Sequence, residues 1–344
     1  MASWWRAERF AARRERLEQR GRTLAAVRSF FAARDFVEVD TPALQVSPGL
    51  EPHLRAFATE WHDPDLTAPA RRYLHTSPEF AMKKLLVAGL PRIWQLAHVF
   101  RDGERGPAHH PEFSLLEWYR AGASWRDLAE ECRALVAACQ QATGATRLTW
   151  RSRHADARAA WHWLSVAEAF KEFCNINILE TAPDPLSPCL ERLVKAAAPL
   201  GLAPHRGDDW EALYFRLFLD RIEPHLGIGA PTILYDYPLS MAALARQSPT
   251  DPRVAERFEV YVGGLELANA FGELTDAAEQ RRRFVADQAR KQALTGETYP
   301  IDEDFLAALA HGMPDASGIA LGFDRLVMLL TGAADIEEVL WAPV

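Results

Sequence analysis

The stretch Pro91–Gly122, PRIWQLAHVFRDGERGPAHHPEFSLLEWYRAG, constrains the fold more than any other part of the chain. Ile93–Phe100 is apolar with β-branched and aromatic residues, and predicts a strand. Asp102–Pro111 is charged and carries two glycines and two prolines, which predicts a loop. Phe113–Tyr119 turns apolar again, so the whole reads as a hairpin with a long charged loop. Arg101 closes the first strand, where a guanidinium needs a paired anion. Residue types alone leave two readings level: a ligand-gripping loop and a solvated hairpin tip.

Around this hairpin the chain is mixed in character. Strands and helices alternate without a regular βαβ rhythm, which predicts an α+β fold rather than a doubly wound sheet. The Arg-rich start could pass for a transit peptide, but Glu8, Glu15 and Glu18 oppose that and suggest an exposed helix. It continues through Arg22–Ala33 with Leu24, Val27, Phe30 and Phe31 on one face. Phe36–Val39 alternates like a strand and stops at Thr41-Pro42. Tyr73–Glu79 predicts a short strand leading into a helix, with Ser77 a candidate cap and Pro78 a first-turn residue. The alternative for that segment is functional, with Glu79 facing a pocket and holding an ammonium group.

Trp125–Gln141 has helical periodicity, and Cys132 and Cys139 read as core residues. With Cys174 and Cys189 they show no CxxC or zinc spacing, which fits a reduced, cytoplasmic setting. No apolar run approaches a membrane span. The net charge of −8 disfavours a protein that lives on nucleic-acid backbone. His154, His162 and His205 are scattered, as surface or core histidines usually are. Pro231–Pro238 reads as a strand. In Phe258–Thr275, FEVYVGGLELANAFGELT, two strands meet at a Gly263-Gly264 turn. Glu266 and Glu273 are candidate Mg²⁺ ligands if a strand–helix junction lets them converge; otherwise they are an edge-strand and a helix-start glutamate. Gln280–Arg283 and Lys291 read as a solvated helix face. In Ser317–Leu330, SGIALGFDRLVMLL, Gly318, Ala320 and Gly322 are small residues on one strand face, where a ligand can approach the backbone. Arg325, in the first turn of the following helix, opposes the helix dipole and is better explained by a bound anion, whereas Asp324 suits the dipole.

These segments resemble, in order, the three motifs of class II aminoacyl-tRNA synthetases: motif 1 at about 22–44, motif 2 at about 91–122 and motif 3 at about 317–330. The nearest likeness is to the lysine enzymes and their shortened relatives, the elongation factor P–(R)-β-lysine ligases. The resemblance implies a single catalytic domain spanning 1–344, with a mainly antiparallel sheet flanked by helices. It also implies a homodimer built through motif 1, where Pro42 matches the motif proline. It implies ATP and Mg²⁺. Arg101 would grip the α-phosphate and Arg325 the γ-phosphate, both as catalytic residues. Asp102, Gly103, His110, Glu266, Leu267 and Gly322 would complete the nucleotide site. Ser77, Pro78, Glu79, Tyr119, Glu273 and Ala320 would hold the amino acid, and Glu266 and Glu273 the metal.

Three departures stand out. Gly103 takes the Glu place of the FRxE pattern, His110 replaces the Asn of HNPEF, and Ala320 stands where lysine synthetases have Gly. The ligases share that alanine, which goes with a preference for (R)-β-lysine over α-lysine. Motif 1 begins too early to leave room for an anticodon-binding barrel. Three functions follow. The chain activates a lysine-like amino acid and transfers it to a lysine of elongation factor P; or it is a truncated tRNA-charging enzyme; or it is a non-catalytic regulator, which retention of Arg101, Glu266, Glu273 and Arg325 opposes.

Overall fold

The computed structural model describes residues 4–62, 64–65, 67–202 and 204–343. In chain order the strands are β1 (Val37–Glu38), β2 (Leu44–Gln45), β3 (Ala58–Trp61), β4 (Ala70–Leu74), β5 (Arg92–Phe100), β6 (Glu112–Ala121), β7 (Leu148–Trp150), β8 (Arg153–Ala155), β9 (His162–Ser165), β10 (Thr232–Pro238), β11 (Val254–Val262), β12 (Leu265–Gly272) and β13 (Ala316–Gly322). The helices are α1 (Ala7–Ala32), α2 (Glu79–Val87), α3 (Trp125–Thr143), α4 (Val166–Cys174), α5 (Leu190–Ala197), α6 (Trp210–Leu217), α7 (Ala277–Thr295), α8 (Glu303–Gly312) and α9 (Phe323–Thr331). They form two compact units: one runs up to Ser124 and resumes at Thr275, the other is Trp125–Leu274.

The first unit carries the strand order β1-β5-β6-β13. β5 and β6 pair antiparallel from Arg92↔Arg120 to Phe100↔Glu112, the hairpin that the sequence predicts. β13 adds antiparallel to β6, and β1 parallel to β5. The helix predicted from the Arg-rich start through Ala33 is α1, which runs Ala7–Ala32. Its Val27 and Phe31 are fully buried. Phe31 stacks on Trp94 of β5 at 5.0 Å and meets Trp118 of β6 edge-on at 5.4 Å. Aromatic pairs of this geometry add about 0.5–1.5 kcal/mol to the area they bury.

The solvated face expected for α7 is corrected at two positions. Gln280 and Lys291 are both fully buried. Lys291 Nζ donates to the carbonyls of Glu51 and Pro52 at 3.3 Å each, and to that of Leu54, and lies 4.6 Å from the Tyr299 ring centroid. Three carbonyls and a ring replace the water an ammonium would lose. The sequence signal is blind to this cage because its acceptors are backbone atoms far away in sequence.

The second unit carries the order β12-β11-β10-β9, antiparallel except for β9 beside β10. Its core holds Phe170 of α4, Trp210, Leu213 and Tyr214 of α6, and Leu193 of α5. Phe170 and Trp210 pack on Tyr214 at 4.8 and 5.2 Å. Cys132 and Cys139 on α3 are fully buried, and burial holds both thiols protonated. Gly263 and Gly264 take φ of 63° and 78°, the left-handed conformation that a two-residue hairpin turn needs.

Candidate functional site

In the first unit, alternation along β5, β6 and β13 collects one face. Ala320 stands opposite Glu117, Gly318 opposite Tyr119 and Gly322 opposite Leu115. On the other side of β6, Gln95 stands opposite Glu117. Glu117 is 1% exposed. Ser77 Oγ donates to its Oε1 at 2.6 Å, and Tyr119 Oη to its Oε2 at 2.9 Å. Burial, and then the nearby Glu79 carboxylate, push the Glu117 carboxyl up to about 8, against the lowering pull of those two hydroxyls and Lys83. Glu117 is therefore mostly protonated at neutral pH, and a cation arriving beside it would draw the proton off.

Ser77 has two tasks. It accepts from the Glu79 N–H at 3.0 Å, so it binds the first amide of α2 from one residue before the cap position expected for it. Pro78 sits at the cap position itself, one residue earlier than the first-turn place predicted for it. Glu79 opens the helix and pairs with Lys83 one turn on, whose side chain is 1% exposed. Two carboxyls and one ammonium thus lie close together at the start of α2. Glu117, inside motif 2, and Lys83 are not among the residues that sequence pattern singles out. The period-2 step from Tyr119 would have found the first, and the i, i+4 step from Glu79 the second.

The motif 2 loop and the start of α9 come together. Arg325 Nε donates to Ala108 O at 3.3 Å, and an Nη to His109 Nε2 at 3.0 Å. Burial and then the Arg325 charge hold the His109 pKa below its usual value, and Arg101 lowers it further. His109 is therefore a neutral acceptor lying in the field of both guanidiniums. Arg101 lies over the Phe113 ring at 5.0 Å and 3.8 Å from Glu104. Its Nε is buried and has no hydrogen-bond partner among the described residues. A guanidinium with donors to spare is suited to a phosphate.

The departures have local causes. Gly103 has φ +82°, so a glutamate there would be strained. His110 is buried and turned back on its own loop, its Nδ1–H donating to Glu112 O at 2.6 Å. Asp102 N donates to Arg55 O at 2.8 Å, tying the loop to the preceding segment. A Cβ on Gly322 would meet the Arg325 side chain at 3.4 Å.

In the second unit, the expected strand–helix junction between Glu266 and Glu273 is corrected. β12 runs to Gly272, Glu273 bridges to Ala245, and the next helix starts only at Ala277. On a regular strand, residues an odd number apart face opposite ways. The register with β11 slips between Val260↔Ala268 and Tyr261↔Glu266, leaving Leu267 as an extra residue. This β-bulge shifts the phase by one. Glu266 then shares a face with Asn269, Phe271 and Glu273, opposite Tyr261, Glu259 and Arg257. That face is held by Arg257, which donates to Asn269 Oδ1 at 3.2 Å and Glu259 at 2.6 Å. Tyr237 and Tyr261 donate to Glu259 Oε2 at 2.5 and 2.6 Å. Gly272 is required here, since a Cβ would lie 2.9 Å from Glu256 Cβ.

Glu266 on β12 and Glu273 just beyond its end each offer one carboxylate to a hard ion such as Mg²⁺, which takes one or two carboxylates and leaves its other positions to water and phosphate. Among the described residues no group of three or more His, Cys, Asp or Glu forms a cage of its own.

The family described as tRNA synthetases class II (D, K and N) matches residues 3–344. A protein of Vibrio cholerae serotype O1 named elongation factor P–(R)-β-lysine ligase is 41% identical over 325 residues, covering 94% of this chain and 93% of that protein. Its namesake in Edwardsiella ictaluri is 40% identical over 342 residues, covering 99% and 97%. That of Vibrio parahaemolyticus serotype O3:K6 is 39% identical over 327 residues, covering 94% of each. With the three motifs in order and the match running along the whole chain, this protein belongs to the class II tRNA synthetases of the D, K and N type.

Proposed function

We propose that the protein activates (R)-β-lysine, or lysine, with ATP as an aminoacyl-adenylate and transfers it to a lysine side chain of elongation factor P. The observation that carries this reading is the near-complete overlap, at 39–41% identity, with relatives named for that ligation. The site supports it. The amino-acid carboxylate attacks the α-phosphate in line and pyrophosphate leaves. Arg101, with its uncommitted Nε, neutralises charge developing there, and Arg325 holds the γ-phosphate. Glu266 and Glu273 would hold Mg²⁺, which when bound would screen the phosphate charge. Glu117, Tyr119, Ser77 and Glu79 receive a substrate ammonium, and the Ala320 methyl occupies space on the same face as Glu117. The adenylate carbonyl is then attacked by the deprotonated amine of the acceptor lysine, and AMP leaves.

The reading extends to a single catalytic domain acting as a homodimer in the cytoplasm. Val37 and Leu44 within motif 1, and Val46 just after it, are 47%, 43% and 49% exposed, an apolar surface suited to a second copy. Among the described residues no helix is long and apolar enough to cross a membrane. The test is incubation with ATP and either amino acid, in the presence of elongation factor P or tRNA. A mass gain of one aminoacyl group on elongation factor P is expected. Charging of tRNA with elongation factor P left unmodified would replace this reading with that of a truncated tRNA-charging enzyme.

A further inference from the structure

Arg20 lies on α1, just ahead of the segment that resembles motif 1, and no nucleotide-binding role attaches to it. Its side chain is 11% exposed and forms an ion pair with Asp324, whose side chain is 1% exposed. An Nη of Arg20 also donates to Ser114 Oγ at 2.8 Å, and the Ser114 backbone N–H donates to Asp324 Oδ2 at 2.7 Å. The guanidinium lies 4.9 Å from the Phe323 ring centroid. One carboxylate thus receives a helix guanidinium and a strand amide, closing a three-cornered link between α1, β6 and the first turn of α9. Asp324 keeps its expected place in the first turn of α9 and has this ion pair in addition.

The two candidate ATP-gripping arginines hang from that link. Arg325 is the residue after Asp324, so the roll of the first turn of α9 sets where its guanidinium goes. Ser114 pairs with His98 in the β5–β6 ladder, three residues from Arg101. We propose that Arg20 is a positioning residue for the nucleotide site: through Asp324 and Ser114 it fixes the start of α9 against the motif 2 hairpin, and so the spacing of Arg325 and Arg101. The proposal rests on the reading that these two arginines hold ATP phosphates. Electrostatic stabilisation by such donors depends on their being held in place before the reaction, and small misplacements are costly.

The test is amino-acid-dependent exchange of pyrophosphate into ATP by the full chain, with KM for ATP and for the amino acid measured separately and Tm in parallel. Arg20→Met should raise KM for ATP or lower kcat by between about tenfold and a hundredfold, with KM for the amino acid nearly unchanged. Arg20→Lys should recover part of the loss, because the ammonium can reach Asp324 but cannot fork to Ser114. Arg20→Met also leaves a buried carboxylate unpaired, so the double variant Arg20→Met/Asp324→Asn separates the roles. It should regain Tm while keeping the ATP defect. Should Arg20→Met fail to fold, this double variant and Ser114→Ala carry the measurement. Recovery of ATP kinetics together with Tm, or an equal rise in both KM values, would make the link merely structural and overturn the proposal. Arg101→Ala and Arg325→Ala are the controls: if neither disturbs ATP kinetics, the reading of the nucleotide site fails, and not the link alone.

Discussion

Glu117 is the sharpest point at which to perturb the first unit. Its carboxyl is raised from the ordinary 4.5 to about 8 by burial and by Glu79. Between those values the folded chain keeps a proton that the unfolded chain has released. Folding then binds a proton, and stability falls as pH rises through that window. At about 1.4 kcal/mol per pH unit, the whole interval amounts to about 5 kcal/mol. The substitution is Glu117→Gln. A neutral amide keeps the shape, accepts from one of the Ser77 and Tyr119 hydroxyls and donates to the other, since hydroxyls can reverse roles. The assay is urea unfolding of both proteins at pH 5, 6, 7 and 8. The variant should gain on the parent by about 1 kcal/mol per pH unit between pH 6 and 8. Subtracting the two curves removes groups that titrate alike in both, such as His75, whose pKa burial lowers. A flat difference across that range would refute the reasoning, because Glu117 would then ionise as an exposed glutamate does. Function should move the opposite way. A substrate ammonium needs the charged form, so KM for the amino acid should fall as pH rises towards 8, and that dependence should vanish in Glu117→Gln.

Arg101→Ala should lower amino-acid-dependent pyrophosphate exchange on the order of 10²-fold; intact exchange would remove Arg101 from the α-phosphate. Ala320→Gly should raise activity with α-lysine relative to (R)-β-lysine by about 1–3 kcal/mol of discrimination, read as the ratio of kcat/KM values; an unchanged ratio would end the argument from the methyl opposite Glu117. Lys291→Met should cost about 3 kcal/mol in chemical denaturation, because the carbonyls of Glu51, Pro52 and Leu54 lose a charged donor; a loss below about 0.5 kcal/mol would show that the cage contributes nothing.

Much of the protein is legible in its sequence because the information is local. The β5–β6 hairpin follows from apolar runs on either side of a charged Gly/Pro loop. The Gly263-Gly264 turn follows from the need for positive φ, and the start of α2 is announced by Ser77-Pro78, although Pro78 and not Ser77 takes the cap position. The face that joins Ala320 to Tyr119 and Glu117 needs only period-2 alternation once the strands are known to pair.

Tertiary structure alone decided what depends on partners distant in sequence or on a change of phase. Glu266 and Glu273 are seven apart, and their shared face comes from a bulge at Leu267 that exists only in the register with β11. Lys291 looks like any exposed helix lysine until three carbonyls from residues 51–54 surround it. Asp324 has the composition of a helix-start acid, yet its charge is taken up by Arg20, 304 residues away. Glu117 reads as one more polar residue on a strand, and only packing removes the water that would keep its pKa ordinary. Local propensity fixes backbone conformation, whereas desolvation and charge pairing are set by whatever the fold packs against a side chain.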